Sequence, residues 1–179
     1  MPDELLAAIL TVAGPEARFP LALDLGCGTG LMGERLRPHA DRLEGVDLSP
    51  GMLEKARLKR LYDALAEGDI LAARPSAAPA LVTAADVLTY LGDLVPVLAH
   101  VAALLAPGAL FAFSVEADDE ADPFTLRPSL RYAHAPAALR RTAEALGLET
   151  VLERRLVLRE DRGEPVHGAL LVLRRPLAG

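Results

Sequence analysis

The 179-residue chain has no tryptophan, a single cysteine, three tyrosines and four phenylalanines. One thiol excludes an internal disulfide. Lysine is almost missing: of 19 basic residues, 17 are arginine and 2 are lysine when counted along the sequence. With the abundant alanine, that bias suggests GC-rich bacterial coding and not a nucleic-acid surface. The formal net charge of −6 argues against a nucleic-acid partner, because neutralising phosphates needs a basic face. No apolar run reaches the ~20 residues that span a bilayer, and no charged-then-apolar leader opens the sequence. A membrane role is not expected, and the expected location is cytoplasmic.

What is present is enough for one globular domain over 1–179, with 51% hydrophobic residues. The sequence alternates helical and strand-like segments, without repeats or low-complexity tails. A helix is expected over 3–13, with Leu5, Leu6, Ile9 and Leu10 on one face. Strand segments follow at about 20–25, 43–48, 66–71, 80–87 and 109–116. Helices are expected at about 30–37, 50–61, 93–106 and 136–146, and 72–79 reads as a connection without a clear helix. Gly147 fits the position just past a helix end. Residues 149–160 and 166–174, joined through Asp161-Arg162-Gly163, read as an antiparallel hairpin.

Leu23-Asp24-Leu25-Gly26-Cys27-Gly28-Thr29-Gly30 sets three alternate glycines between a strand and a helix. Backbone without Cβ atoms lets a ligand lie against the main chain. Gly28-x-Gly30-x-x-Gly33, with Asp47 about 20 residues on, also fits a dinucleotide fingerprint. The acid at 24 tells against that reading. Expected to point toward the ligand, Asp24 opposes a pyrophosphate at the helix N-terminus but suits a sulfonium or an ammonium.

On Asp24, Gly26, Gly28 and Gly30 the chain resembles the class I S-adenosylmethionine-dependent methyltransferases. The resemblance implies a Rossmann-like, seven-stranded, mostly parallel sheet with helices on both faces and an antiparallel C-terminal hairpin. It also implies S-adenosylmethionine as cofactor and a small-molecule methyl acceptor. Val46-Asp47-Leu48-Ser49-Pro50 matches the second strand end and helix start, with Asp47 as ribose clamp, Leu48 beside it and Ser49 as N-cap. Glu67-Gly68-Asp69-Ile70 resembles the family's third strand end, where Asp69 accepts from the adenine amino group and the Ile70 main chain meets a ring nitrogen. Phe113-Ser114-Val115-Glu116, Arg131-Tyr132-Ala133-His134 and the hairpin Val157–Glu160 with Val166–Gly168 resemble, more loosely, the methyltransferase domains behind bacterial tetratricopeptide repeats. Only about twenty residues precede strand one, which leaves the pocket more open or closed by a second chain.

Other residues have competing readings. Cys27 is a small side chain beside the ligand; a nucleophilic role needs a base partner. Met52 fits either the adenine face or core packing, and Thr29 either caps a helix or touches the methionine carboxylate. Ala85 offers a carbonyl to the ligand ammonium. Asp86, Tyr90, Glu116, Tyr132 and His134 are the candidates for the acceptor side. His134 is the nearest to a general base, weighed against an ordinary surface histidine at a helix start. The run Glu116-x-Asp118-Asp119-Glu120-x-Asp122 reads either as a solvated loop or as a negative mouth that favours a neutral or cationic acceptor. A cofactor-holding sensor without turnover and an NAD-dependent oxidoreductase are the alternatives.

Overall fold

The computed structural model describes residues 1–161 and 163–177. Five parallel strands form its spine: β1 (Phe19–Leu25), β2 (Ala40–Asp47), β3 (Ala64–Glu67), β4 (Leu81–Ala84) and β5 (Leu110–Ala117), in spatial order β3-β2-β1-β4-β5. The chain closes with β8 (Glu149–Asp161) and β9 (Glu164–Arg174). β9 lies antiparallel along β5, from Leu110↔Arg174 to Glu116↔Gly168, and β8 pairs on its far edge. Those seven strands are the expected mostly parallel sheet with its antiparallel hairpin. Of the expected hairpin turn, Arg162 lies outside the described residues.

Side-chain alternation divides the core into two layers. Leu81, Leu110 and Ala112 face α1 (Pro2–Ala13) and α2 (Leu31–Leu36), where Leu5, Ile9, Met32 and Leu36 are buried. Val82, Phe111 and Phe113 face α4 (Val95–Leu104) and α5 (Pro136–Ala145), against Val97, Leu98, Val101 and Leu139. Each such fully buried aliphatic side chain stabilises the fold by about 1.5–3 kcal/mol. α3 (Pro50–Leu58) starts as expected: Pro50 takes the first helical position and Ser49 Oγ accepts from the Met52 amide at 3.3 Å. α5 ends with Gly147 at φ 74°, where the Leu148 and Gly147 amides bond back to Ala143 and Glu144.

Four boundaries differ from the sequence reading, each for a local reason. β4 stops at Ala84 and not near Val87, because Asp86 turns the chain through φ +56°. β3 ends at Glu67, and Asp69 then caps a short 3-10 turn over Ile70–Ala72. α2 is shorter than 30–37 and gives way to a 3-10 turn at Arg37–His39. The segment expected to be a loop after β5 contains a further hairpin, β6 (Phe124–Leu126) and β7 (Tyr132–His134). β7 pairs parallel with Glu116 and Ala117 of β5. Because β9 occupies the other edge of β5 at Glu116, this hairpin lies on the β4 side, beyond the end of β4. It therefore flanks the carboxyl ends of the parallel strands, where open α/β sheets take their ligands.

Candidate active site

The glycine loop leaves β1 with Gly26, Gly28 and Gly30 at φ +64°, +53° and +85°. All three are left-handed, a conformation that L side chains resist by about 1–2 kcal/mol per residue. A Cβ on Gly26 would overlap the Val87 side chain, whereas one on Gly28 would stand 3.6 Å from Met52 Sδ, in the open groove. Asp47 secures the loop from β2: its Oδ2 accepts from the Gly28 amide and its Oδ1 from the Ser49 amide, both at 2.8 Å. Each carboxylate oxygen keeps further lone-pair capacity for a sugar hydroxyl.

Around this loop the surface is apolar and open. Leu48 is 69% exposed and Met52 47%. At the next strand end Asp69 is exposed, with Oδ1 accepting from the Leu71 amide at 2.8 Å, while Ile70 is buried beneath it. Thr29 makes no capping bond to α2, so its hydroxyl is not taken up by that helix. Ala85 follows β4, half-buried, where the chain turns toward Asp86.

Asp24 stands elsewhere than expected. It is 1% exposed beneath the loop and accepts from the Tyr62 hydroxyl at 2.7 Å and the Thr83 hydroxyl at 2.9 Å. Burial raises its pKa to about 6, against the two hydroxyl donors that lower it. Both of its oxygens are thus engaged by hydroxyls of the protein. Tyr62 went unnoticed in the sequence. Its ring lies 2.9 Å from where a Cβ on Gly45 would be, and it also fills the space left by Gly33. A tyrosine facing glycines on two neighbouring elements is the signal that could have found it.

Cys27 is buried, and burial first, then Asp24 and Asp47, push its thiol up to about 12. It is a protonated packing group, in line with the plainer of its two readings.

The acceptor side is built from β4, β5 and the β6–β7 hairpin. Tyr90 is 59% exposed, with the Arg131 guanidinium 5.6 Å above its ring centroid. Tyr132 packs edge-on against Phe124 at 5.7 Å, and both rings close on Gly92. Asp86 keeps solvent access, donates its backbone amide to Ser114 Oγ at 2.9 Å, and has a carboxyl raised by desolvation.

Two expectations are corrected here. His134 is not presented to an acceptor: it is 1% exposed, and its Nε2 lies 2.9 Å from the Leu91 carbonyl and 3.1 Å from that of Gly92. Two carbonyl neighbours require Nε2 to carry the proton, and desolvation lowers the ring pKa, so His134 is a neutral donor that ties β7 to the turn after β4. Nor are all the acids of the run free charges. Glu116 is 1% exposed, bound by Arg159 and by Thr89 Oγ1 at 3.2 Å; Asp118 pairs with Arg127 at 3.5 Å and Asp119 with Arg155 at 2.6 Å. Arg155 and Arg159 come from β8, and Arg127 from the same segment as Asp118.

Among the described residues no group of three or more potential metal ligands assembles, and no helix is long and apolar enough to cross a membrane.

A family model described as a methyltransferase domain matches residues 1–153. Trans-aconitate 2-methyltransferase from Methylobacterium radiotolerans is 42% identical over 123 residues, 65% of this chain and 45% of that protein. Malonyl-acyl-carrier-protein O-methyltransferase from Serratia marcescens is 34% identical over 93 residues, 51% of this chain and 36% of that protein. The chain spans about half the length of the curated relatives it matches first, at 45% and 54%. Among solved structures, the N-methyltransferase NodS from Bradyrhizobium japonicum WM9, in complex with S-adenosyl-L-homocysteine, superposes with a TM-score of 0.76. It is 26% identical, and the match covers 98% of this chain and 85% of that one.

Proposed function

The chain belongs to the family of methyltransferase domains, and from that premise we propose that it is an S-adenosylmethionine-dependent methyltransferase acting on a small-molecule acceptor. The observation that carries this reading is the bridge at Asp47, which holds the left-handed Gly28 through its amide while keeping capacity for ribose. The residues fit the cofactor. Side-chain-free backbone at Gly28 leaves room for it, Asp69 is free to meet the adenine edge, and Leu48 and Met52 offer apolar cover to the base. The relative with a bound product supports the same assignment, since it holds S-adenosylhomocysteine on this fold.

Bound there, S-adenosylmethionine supplies a methyl group made electrophilic by the attached sulfonium. The chain's own part is alignment: the loop fixes one reactant, and Tyr90, Tyr132 and the hairpin bound the space for the other. Holding two reactants in register can contribute up to ~7–11 kcal/mol. With His134 committed to two carbonyls, the residues do not furnish a histidine base, which favours acceptors that need no strong base. The printed names of the relatives span different acceptors, trans-aconitate and malonyl-acyl-carrier protein among them.

Isothermal calorimetry tests the proposal. S-adenosylhomocysteine is expected to bind at micromolar affinity or tighter and NAD at least 100-fold more weakly. Binding of NAD without S-adenosylhomocysteine would overturn the cofactor assignment. Release of S-adenosylhomocysteine with a metabolite library separates an enzyme from a sensor.

A further inference from the structure

The acceptor side holds a cation that its acids do not account for. Glu116, Asp118 and Asp119 each have an arginine partner, respectively Arg159, Arg127 and Arg155. Arg131 is different. Among the described residues none of the ion pairs includes it, and its side chain's one hydrogen bond is to the Tyr90 hydroxyl at 3.4 Å.

Its position is set by the fold. Arg131 immediately precedes β7, and the pairing of β7 with Glu116 and Ala117 fixes that strand beyond the end of β4. The guanidinium then lies over the exposed Tyr90 ring, 5.6 Å from its centroid. One guanidinium N–H reaches the Tyr90 hydroxyl, and the others are left with a fork that matches a carboxylate. Asp86 falls within range of the same charge, which works against the desolvation of its carboxyl. A 320 Å³ cavity is lined by Arg127 and Arg159 but also by Glu116, Asp161 and Glu164, so its charges do not favour an anion. Discrimination therefore falls to Arg131.

We propose that Arg131, held over Tyr90, is the recognition group for an acceptor that carries a carboxylate. The proposal rests on the methyltransferase reading for the acceptor's identity as a substrate, though not for the binding of an acid at this position. An acid arrives already ionised, in keeping with a groove whose histidine is a hydrogen-bond donor to carbonyls and whose thiol is protonated.

The test is calorimetry on the full chain, with and without S-adenosylhomocysteine, using benzoate, phenylacetate, fumarate and citrate, each beside its amide, with benzylamine as the cation. At least one acid is expected to bind 10-fold or more tightly than its amide and than benzylamine. Arg131→Gln should weaken that acid 10- to 100-fold, the ordinary loss for a charged hydrogen bond. S-adenosylhomocysteine affinity should stay within twofold. Arg131→Lys should recover part of the loss, and Arg155→Gln, which removes an equal charge from an ion pair on β8, should change little. Preference for the amine, absence of acid binding, or an Arg131→Gln variant that binds the acid unchanged would each overturn the proposal. In the last case Arg131 serves Asp86 instead. Failure of S-adenosylhomocysteine to bind would strike the cofactor assignment alone, and the titrations of the ligand-free chain would still decide this one.

Discussion

At the β1–β3 end of the groove, the groups facing a ligand are backbone amides and carboxylates fixed within a few residues of a strand end. At the β4–β5 end they are side chains that meet from afar: Thr89 and Glu116 are 27 residues apart, Arg131 and Tyr90 are 41, Arg159 and Glu116 are 43. The first end is specified by short-range geometry, because a left-handed turn demands glycine wherever it occurs. The second is specified by partnership, and each member is an ordinary residue until its partner is known. The two ends thus share one sheet without sharing their determinants.

Substitutions can break that contrast. The largest effect is expected at Asp47. Asp47→Ala removes the acceptor of two loop amides as well as the sugar contact, so S-adenosylhomocysteine should bind about 2–4 kcal/mol more weakly by calorimetry while the chain stays folded. An unchanged affinity would show that the loop holds itself.

Asp24 tests whether the loop's support is electrostatic. Its folded pKa of about 6 lies above the ordinary 3.8, so the native state binds a proton over that interval that the unfolded chain has released. Stability from this group is greatest below pH 3.8 and declines as pH rises through about 6, by ~3 kcal/mol in total. Urea unfolding of Asp24→Asn should lack that decline. His134 has the opposite sign: its lowered pKa contributes stability above the ordinary 6.5 that is lost as pH falls.

On the acceptor side, His134→Ala leaves the Leu91 and Gly92 carbonyls without their donor and should cost about 1–3 kcal/mol of stability. His134→Gln, which can place an amide N–H at the same point, should recover most of it, with turnover within tenfold of the parent. A 10²- to 10⁴-fold loss of turnover in a fully folded His134→Gln protein would return the histidine to the role of base. The smallest effect is expected at Cys27, whose thiol, held near 12, should resist iodoacetamide at pH 8 as followed by mass spectrometry.

The same division explains what the sequence makes legible. Gly26, Gly28, Gly30, Asp47 and Asp69 announce themselves by spacing, and Ser49 with Pro50 announces a helix start; the parallel sheet follows from the βα alternation. The 3-10 turn after Asp69 and the early end of β4 are not visible, because they depend on single dihedrals at Asp69 and Asp86. β6 and β7, with three residues each, are too short for any periodicity to register. The position of Asp24 at a strand end is legible, but its burial is not, because the Tyr62 hydroxyl that covers it comes from 38 residues away. His134 was weighed as base or surface group; the third outcome, a buried structural donor, requires the carbonyls of a turn 42 and 43 residues earlier.

The β6–β7 hairpin pairs with two residues of β5, Glu116 and Ala117, and meets the turn after β4 through the His134 imidazole, the Phe124 and Tyr132 rings and Arg131. Such an attachment makes residues 118–133 a cassette. Lengthening, recolouring or exchanging it leaves the strand that carries it, and the glycine loop beyond, in the same register. A lineage can therefore explore new acceptors by drift in one exposed segment while its cofactor chemistry stays under separate selection. Grafting this stretch between related chains, with His134 retained as the anchor, is the engineering counterpart.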